Sequence, residues 1–288
     1  MKKHAYLIAA HNEFKILKTL VSLLDYEEND IYIHIDKKTK YFNNDSLLED
    51  VKYASIEFVP SSSINWGGYS QIQYELSLLK VATKKYHDYY HLISGVDLPI
   101  KSHKEILDFF DKNYGKEFIE FDDKYEKEKI DYRIRYYHLL QDKVGKREDF
   151  TGKFLYNIER VIVKIQKIIG VNRIKKCKEQ FFKGTNWFSI THDLAIYILN
   201  SEKQIRSQYK YTYCADEIFL QTIVKNSEFN NRVVNDCLRY IDWDRGQPYV
   251  FTEEDFDLLI NSDKIWARKF SEEKNIEIVN KIYNVLKD

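Results

Sequence analysis

The sequence predicts an α/β protein, an open sheet flanked by helices with a helical insertion mid-chain. Three observations carry this. Short apolar runs alternate with stretches of helical spacing, polar residues cluster where the apolar runs end, and residues 122–183 are charge-dense without Pro. Ligands of open α/β sheets bind at the C-terminal ends of strands, so those polar residues are the first candidates for a site.

Residues 5–10 read as a buried strand ending on His11 and Asn12, and Phe14, Leu17, Leu20, Val21 and Leu24 place a helix over 13–25. A second strand over 31–35 ends on Asp36-Lys37-Lys38, and a third covers 55–59. Asp36 either accepts from a ribose or uracil N–H or closes a turn; the residues leave both open. The loop Ser61 to Ser70 holds paired glycines, Gly67 and Gly68, before a helix over 71–85 that Ser70 can cap. Such a loop is a weak phosphate signal beside a plain helix entry, and Trp66 is a candidate wall for a ring. A strand through Leu92 and Ile93 runs into Ser94-Gly95, then Asp97 and Pro99, a pattern that suits a donor-sugar pocket. A helix over 102–113 and a strand over 117–121 follow.

Across 122–183 aromatics gather at Tyr132, Tyr136 and Tyr137, and an amphipathic helix spans 154–168. Arg133 and Arg135 either face an acceptor or lie solvated or paired on a helix face. Strand character returns over 184–191, followed by a helix over 193–199. Asp216 and Glu217 then stand where a helix should begin, ahead of Ile218, Phe219, Leu220 and Ile223. First-turn carboxylates are stabilised by the helix dipole, which is one account of the pair. Catalysis is the other, because Arg245 and Arg268-Lys269 follow. A strand over 239–243, a helix over 255–260 and a last helix from about 271 complete the chain.

The totals narrow the partners. At 288 residues the chain can bury a substantial core, and Lys+Arg 45 balances Asp+Glu 45, so no global charge advertises nucleic acid. Arginines matter individually, since only arginine offers a fixed fork to phosphate. Three cysteines, Cys177, Cys214 and Cys237, without CxxC spacing, suggest neither a disulfide framework nor a zinc site and fit a reducing cytoplasm. No stretch approaches the roughly twenty apolar residues of a membrane span. His34 and His91 read as core or hydrogen-bonded histidines.

Six motifs in order, Ile33-His-Ile-Asp-Lys37, Trp66-Gly-Gly-Tyr-Ser70, Ile93-Ser-Gly-Val-Asp-Leu-Pro-Ile100, Gly184-Thr-Asn-Trp-Phe188, Ala215-Asp-Glu217 and Ser262-Asp-Lys-Ile-Trp-Ala-Arg-Lys-Phe270, resemble the core-2/I-branching β-1,6-N-acetylglucosaminyltransferase family. This family, glycosyltransferase family 14, also contains peptide O-xylosyltransferases. The resemblance covers nearly the whole chain. It implies a GT-A-like open mixed sheet and one domain, in which 1–121 bind the nucleotide sugar, 122–183 form the helical insertion, and 184–288 carry acceptor and catalytic residues. It implies inverting transfer from a UDP-sugar, GlcNAc first with xylose or galactose as alternatives, to a glycan or lipid-linked glycan acceptor. No cofactor or divalent metal is implied, and no nucleic-acid partner.

Carried over residue by residue, the resemblance makes Glu217 the general base. His11, Asp36, Ser94, Gly95, Asp97, Arg245 and Lys269 fall on the donor side, with Lys269 holding the diphosphate and Arg245, 24 positions earlier, beside it. Trp187 and Asp216 fall on the acceptor side. Without the family's animal anchor and disulfides, the expectation is a bacterial cytoplasmic enzyme building a surface glycan, with peripheral contact at the inner face of the plasma membrane. Asp242-Trp-Asp244 has the spacing of a metal-binding DxD, but it lies far downstream and Arg245 would compete with a cation. A metal-dependent nucleotidyltransferase and a non-catalytic glycan-binding protein are the rival readings.

Overall fold

A computed structural model of the chain describes residues 3–40, 42–122, 127–147, 149–177, 179–246 and 248–287. Its centre is a seven-stranded sheet of β1 (His4–Ala10), β2 (Asn29–Ile35), β3 (Ser55–Val59), β4 (Tyr89–Ser94), β6 (Glu117–Ile119), β7 (Phe188–Thr191) and β8 (Val233–Val234). The order is β3-β2-β1-β4-β7-β6-β8. Every pair is parallel except those made by β7, which runs antiparallel to β4 and β6. A small second sheet pairs β5 (Leu98–Pro99), β10 (Trp266–Arg268) and β9 (Arg239–Ile241).

Period-two alternation feeds both faces of the large sheet. On β1, Ala5 and Leu7 enter one core with α3 (Ser70–Ala82), α8 (His192–Asn200) and α10 (Phe219–Lys225). Tyr6 and Ile8 enter the other, packed by α1 (Phe14–Leu23), α4 (His103–Lys112) and the C-terminal α12 (Ile276–Leu286). The sequence thus places a strand with no solvated face at the middle of the sheet. His34 and His91 are fully buried and hydrogen-bonded, His34 to Ser62 and His91 to His4 and Ser189.

The remaining helices are the short α2 (Asp45–Leu48), then α5 (Lys127–Arg135), α6 (Gln141–Val144) and α7 (Phe150–Ile168) between β6 and β7, α9 (Glu202–Tyr209), and α11 (Phe256–Ile260). Three expectations shift. The helix of residues 216–223 starts at Phe219, because Cys214 adopts the left-handed region (φ 46°) and residues 215–217 form a 3-10 turn instead. The residue before α3 is Tyr69, and Ser70 does not cap it. The Ser70 hydroxyl bonds Asp142 Oδ1 at 2.9 Å and serves the Asn65 amide. The last helix begins at Ile276 rather than near 271.

The glycines of the 61–70 loop permit docking of protein on protein. A Cβ at Gly68 would lie 2.1 Å from Asp142 Oδ1, and the Gly67 carbonyl receives the Cys214 amide at 2.9 Å. Gly67 N–H is taken by Gln71, so this loop does not offer its amides to phosphate. Gly184 is tighter still: a Cβ there would lie 1.7 Å from the Glu120 carbonyl oxygen, a backbone atom that cannot swing away. Gly184→Ala should therefore destabilise the chain by at least the roughly 1–3 kcal/mol typical of overpacking, read as a fall in Tm.

Candidate active site

Because β1, β2, β4 and β6 are mutually parallel, their C-terminal ends share one edge of the sheet. There the turns after β1, β2 and β4 contribute to the site. After β1 comes His11. Its imidazole is held below the ordinary range by loss of hydration, against the nearby charge of Asp36, and with the charges of Arg268, Lys38 and Lys269 lowering it further. After β2 comes Asp36, which accepts the Lys38 amide at 2.9 Å while its own amide reaches Ala10 O at 3.0 Å. Asp36 is thus a turn aspartate, and its carboxylate also faces His11.

After β4, the turn 94–97 is built inward. Gly95 lets this strand end approach β1, since a Cβ there would lie 2.8 Å from Ala10 Cβ, and its amide donates to Ala9 O at 2.9 Å. Asp97 is fully buried; it accepts the Ser94 amide at 3.0 Å and Arg268 Nη1 at 2.7 Å, with Arg239 Nε at 3.6 Å. The pairing of β5 with β10 brings these groups together, Leu98 opposite Ala267. Asp97 therefore does not reach the donor itself, contrary to the expectation. Its carboxylate is buried, with Oδ2 taken by the Ser94 amide and Oδ1 by Arg268, and it acts by fixing Arg268.

Trp187 is likewise corrected. It is only 8 % exposed, and the guanidiniums of Arg268 and Arg239 lie 4.7 and 4.9 Å from its ring centroid. The ring is a platform for two arginines, not an open surface for an acceptor.

Lys269 follows Arg268 and has no carboxylate within 4 Å among the described residues. Partial burial, then the charges of Arg268, Lys274 and Lys146, lower its ammonium from the ordinary value. Lys146 in turn lies 4.5 Å over the exposed ring of Trp66. Glu13 opposes the lowering, and Arg268 has Asp97, but the positive charges outnumber the negative ones around Lys269, as in an anion site. Arg245 does not join them. Its fork is taken by Asp242 (2.6 Å) and Asp255 (2.8 Å), and its guanidinium stacks on Tyr249 at 4.1 Å. The two aspartates outcompete the site because they lie 3 residues before and 10 after it in a tight local turn. Asp242 also accepts the amides of Asp244 and Arg245, so its carboxylate is committed within its own loop.

Glu217 closes the 3-10 turn. Arg133 Nη1 donates to its Oε2 at 2.7 Å and Lys183 Nζ stands 3.8 Å from the same oxygen. Both cations hold Oε2, and Oε1 makes no hydrogen bond among the described residues. Arg133, left open by the sequence, is thus the partner that orients the expected base, whereas Arg135 pairs with Asp131 along its helix. The neighbouring Asp216 faces inward. It is 5 % exposed and accepts Gln71 Nε2 at 2.8 Å, which removes it from the acceptor surface. Burial, with the Glu217 charge beside it, pushes its carboxyl up to about 7. Tyr74 lies within electrostatic range of both Asp216 and Arg268, joining the two halves of the site. Beside Lys183 opens a cleft of about 430 Å³ lined by Phe121, Asp122, Phe182, Lys225, Asn230 and Asn235.

Arg268 and Arg133 are the contributions that sequence reasoning did not assign. The first stood next to a chosen lysine, and its signal was the Ala267-Arg268-Lys269 run itself. The second carried no local signal, because it comes from a helix 84 residues away.

A carboxylate with one oxygen free of hydrogen bonds, and a lysine without a carboxylate partner, both among the described residues, are the equipment of a group-transfer enzyme that removes a proton and stabilises an anionic leaving group. Residues 4–258 match the Core-2/I-Branching enzyme family, and the chain belongs to that family of glycosyltransferases. Curated relatives include a xylosyltransferase of Ciona intestinalis, 24% identical over 302 residues, and xylosyltransferase 2 of Rattus norvegicus, 24% identical over 310. Each alignment covers 96% of this chain but only 33% and 32% of the relative. The chain therefore spans about a third of the length of the curated relatives it matches. Among solved structures, mouse xyloside xylosyltransferase 1 in its apo form is similar at a TM-score of 0.40 and 10% identity, over 93% of this chain and 97% of its own. Among the described residues no helix is long and apolar enough to cross a membrane.

Proposed function

We propose that the chain transfers a sugar from a UDP-sugar to an acceptor hydroxyl with inversion and without a divalent metal. The observation that carries this reading is the one-sided grip on Glu217. With Oε2 fixed by Arg133 and Lys183, Oε1 is the atom left to receive the hydroxyl proton. The acceptor oxygen then forms its bond to the anomeric carbon as the bond from that carbon to the UDP oxygen breaks. The charge that develops on UDP is met by Lys269 and by Arg268, which Asp97 and Trp187 hold in place. Glu217 afterwards releases its proton to solvent.

His11 and Asp36 lie on the nucleotide side of this arrangement, and the cleft beside Lys183 lies on the acceptor side. UDP-GlcNAc is the first donor to test, and UDP-xylose the second, because the curated relatives are named xylosyltransferases. The experiment is UDP release from each donor in the presence of EDTA, with a panel of glycoside acceptors. Acceptor-stimulated release undiminished by EDTA is the expected result. Release from neither donor, or only with Mn²⁺ or Mg²⁺ restored, would overturn the reading.

A further inference from the structure

Behind Glu217 lies a second carboxyl that the transfer chemistry does not use. Glu75, on α3, is 1 % exposed, and its carboxyl oxygens have only the neutral side chains of Asn186 and Tyr74 beside them, neither at good hydrogen-bond geometry. Buried polar atoms are satisfied in the large majority of cases, so a carboxyl with two poorly satisfied oxygens calls for an explanation. The groups that face it are few. Asp216, from the 3-10 turn, presents its own orphaned atom, Oδ1. Tyr74 and Asn186 are the polar side chains nearest to it, and His34 of β2 packs on Tyr74 at 5.7 Å. The cations nearby, Arg133 and Arg268, act on Asp216 and Tyr74 respectively. Among the described residues no cation pairs with Glu75.

Two carboxyls buried within electrostatic range of one another cannot both ionise cheaply. Asp216 has the Gln71 amide and the nearby Arg133 to support a charge. Glu75 has only the neutral Asn186 and Tyr74 and no cation among the described residues, so a proton shared by the pair resides on Glu75. We propose that Glu75 is a positioning residue of the transfer reaction: it carries the proton of a buried two-carboxyl pair with Asp216, and so fixes the turn that presents Glu217. The connection is direct, since Gln71, one helical turn before Glu75, bonds both Asp216 and the Gly67 amide. The positioning role rests on the function proposed above; the retained proton does not.

Burial raises the Glu75 carboxyl well above its ordinary value, as does the Asp216 charge. A group shifted upward on folding costs nothing while both states are protonated. Stability is then lost as pH climbs from the unfolded value towards the folded one, about tenfold in the folded-to-unfolded ratio per pH unit for one proton. Glutamine imitates the protonated acid and cannot ionise. The Tm of E75Q should match that of the wild type near pH 5 and exceed it increasingly towards pH 8. Difference infrared spectra, wild type minus E75Q at pH 7, should show the carbonyl stretch of a protonated carboxylic acid.

In turnover, E75A should lose at least tenfold in kcat with UDP affinity kept, and E75Q should recover most of that loss and carry activity further into the alkaline range. Parallel Tm curves together with no carboxylic-acid band would overturn the retained proton. A retained proton with E75Q and wild-type pH–rate profiles superimposed would overturn the positioning role. Should no donor be turned over by the wild type, the function reading fails, while the thermal and infrared arms still decide the proton.

Discussion

Glu217→Gln should cut kcat by roughly 10²–10⁴, the range for a positioned general base, and leave UDP affinity within about twofold. The substitution keeps the size of the side chain and an oxygen for Arg133, and removes the capacity to take a proton at Oε1. It also removes the charge that Arg133 and Lys183 share, at 2.7 and 3.8 Å. The proposed function puts those cations on the acceptor side, so the loss should appear in kcat and acceptor KM and not in nucleotide binding. Isothermal titration with UDP beside steady-state kinetics separates the two. A variant that turns over at near wild-type rate would remove Glu217 from the chemistry, and Asp216, buried and hydrogen-bonded to Gln71, is in no position to replace it.

Asp97→Ala should be the most destabilising change at the site. It leaves Arg239, whose side chain is wholly buried, without its carboxylate, and frees Arg268. Breaking a buried ion pair by removing one partner costs about 3–5 kcal/mol. For a chain of this size that corresponds to a fall in Tm of roughly 6–20 °C. The Arg239 fork keeps two carbonyl partners, Leu92 and Cys237, which place the loss at the lower end. UDP affinity should fall as well, since Arg268 loses the anchor that aims it. A Tm within about 2 °C of wild type by calorimetry would show that the buried aspartate is not what holds the two arginines.

Much of the architecture is legible from residues alone, and the reasons are specific. β1 and β2 announce themselves because both of their faces are buried, which makes them continuous apolar runs, and the polar residues that follow, His11 and Asp36, fall on the site edge for the same topological reason. The small sheet is invisible in advance. Leu98–Pro99 and Trp266–Arg268 are too short to carry a period, and their pairing is made by residues more than 160 positions apart. A side chain's surroundings were legible where they come from its own turn and not where they come from a distant partner. Lys269 is placed where positive charges outnumber negative ones, whereas Asp97 and Trp187 prove to be supports for arginines, and Arg245 is claimed by Asp242 and Asp255. A sequence gives the types of charged groups; which of them cancel is decided by packing.

The central claim is that the cations at the sheet edge, Lys269 foremost, hold the nucleotide without a metal. The direct measurement is UDP binding by calorimetry, with and without EDTA, to the wild type, Lys269→Ala and Arg245→Ala. Binding indifferent to EDTA, weakened roughly ten- to a hundredfold in Lys269→Ala as for a lost charge-assisted contact, and less affected in Arg245→Ala, is the predicted result. Binding that requires Mn²⁺ or Mg²⁺ and survives the loss of Lys269 would contradict it.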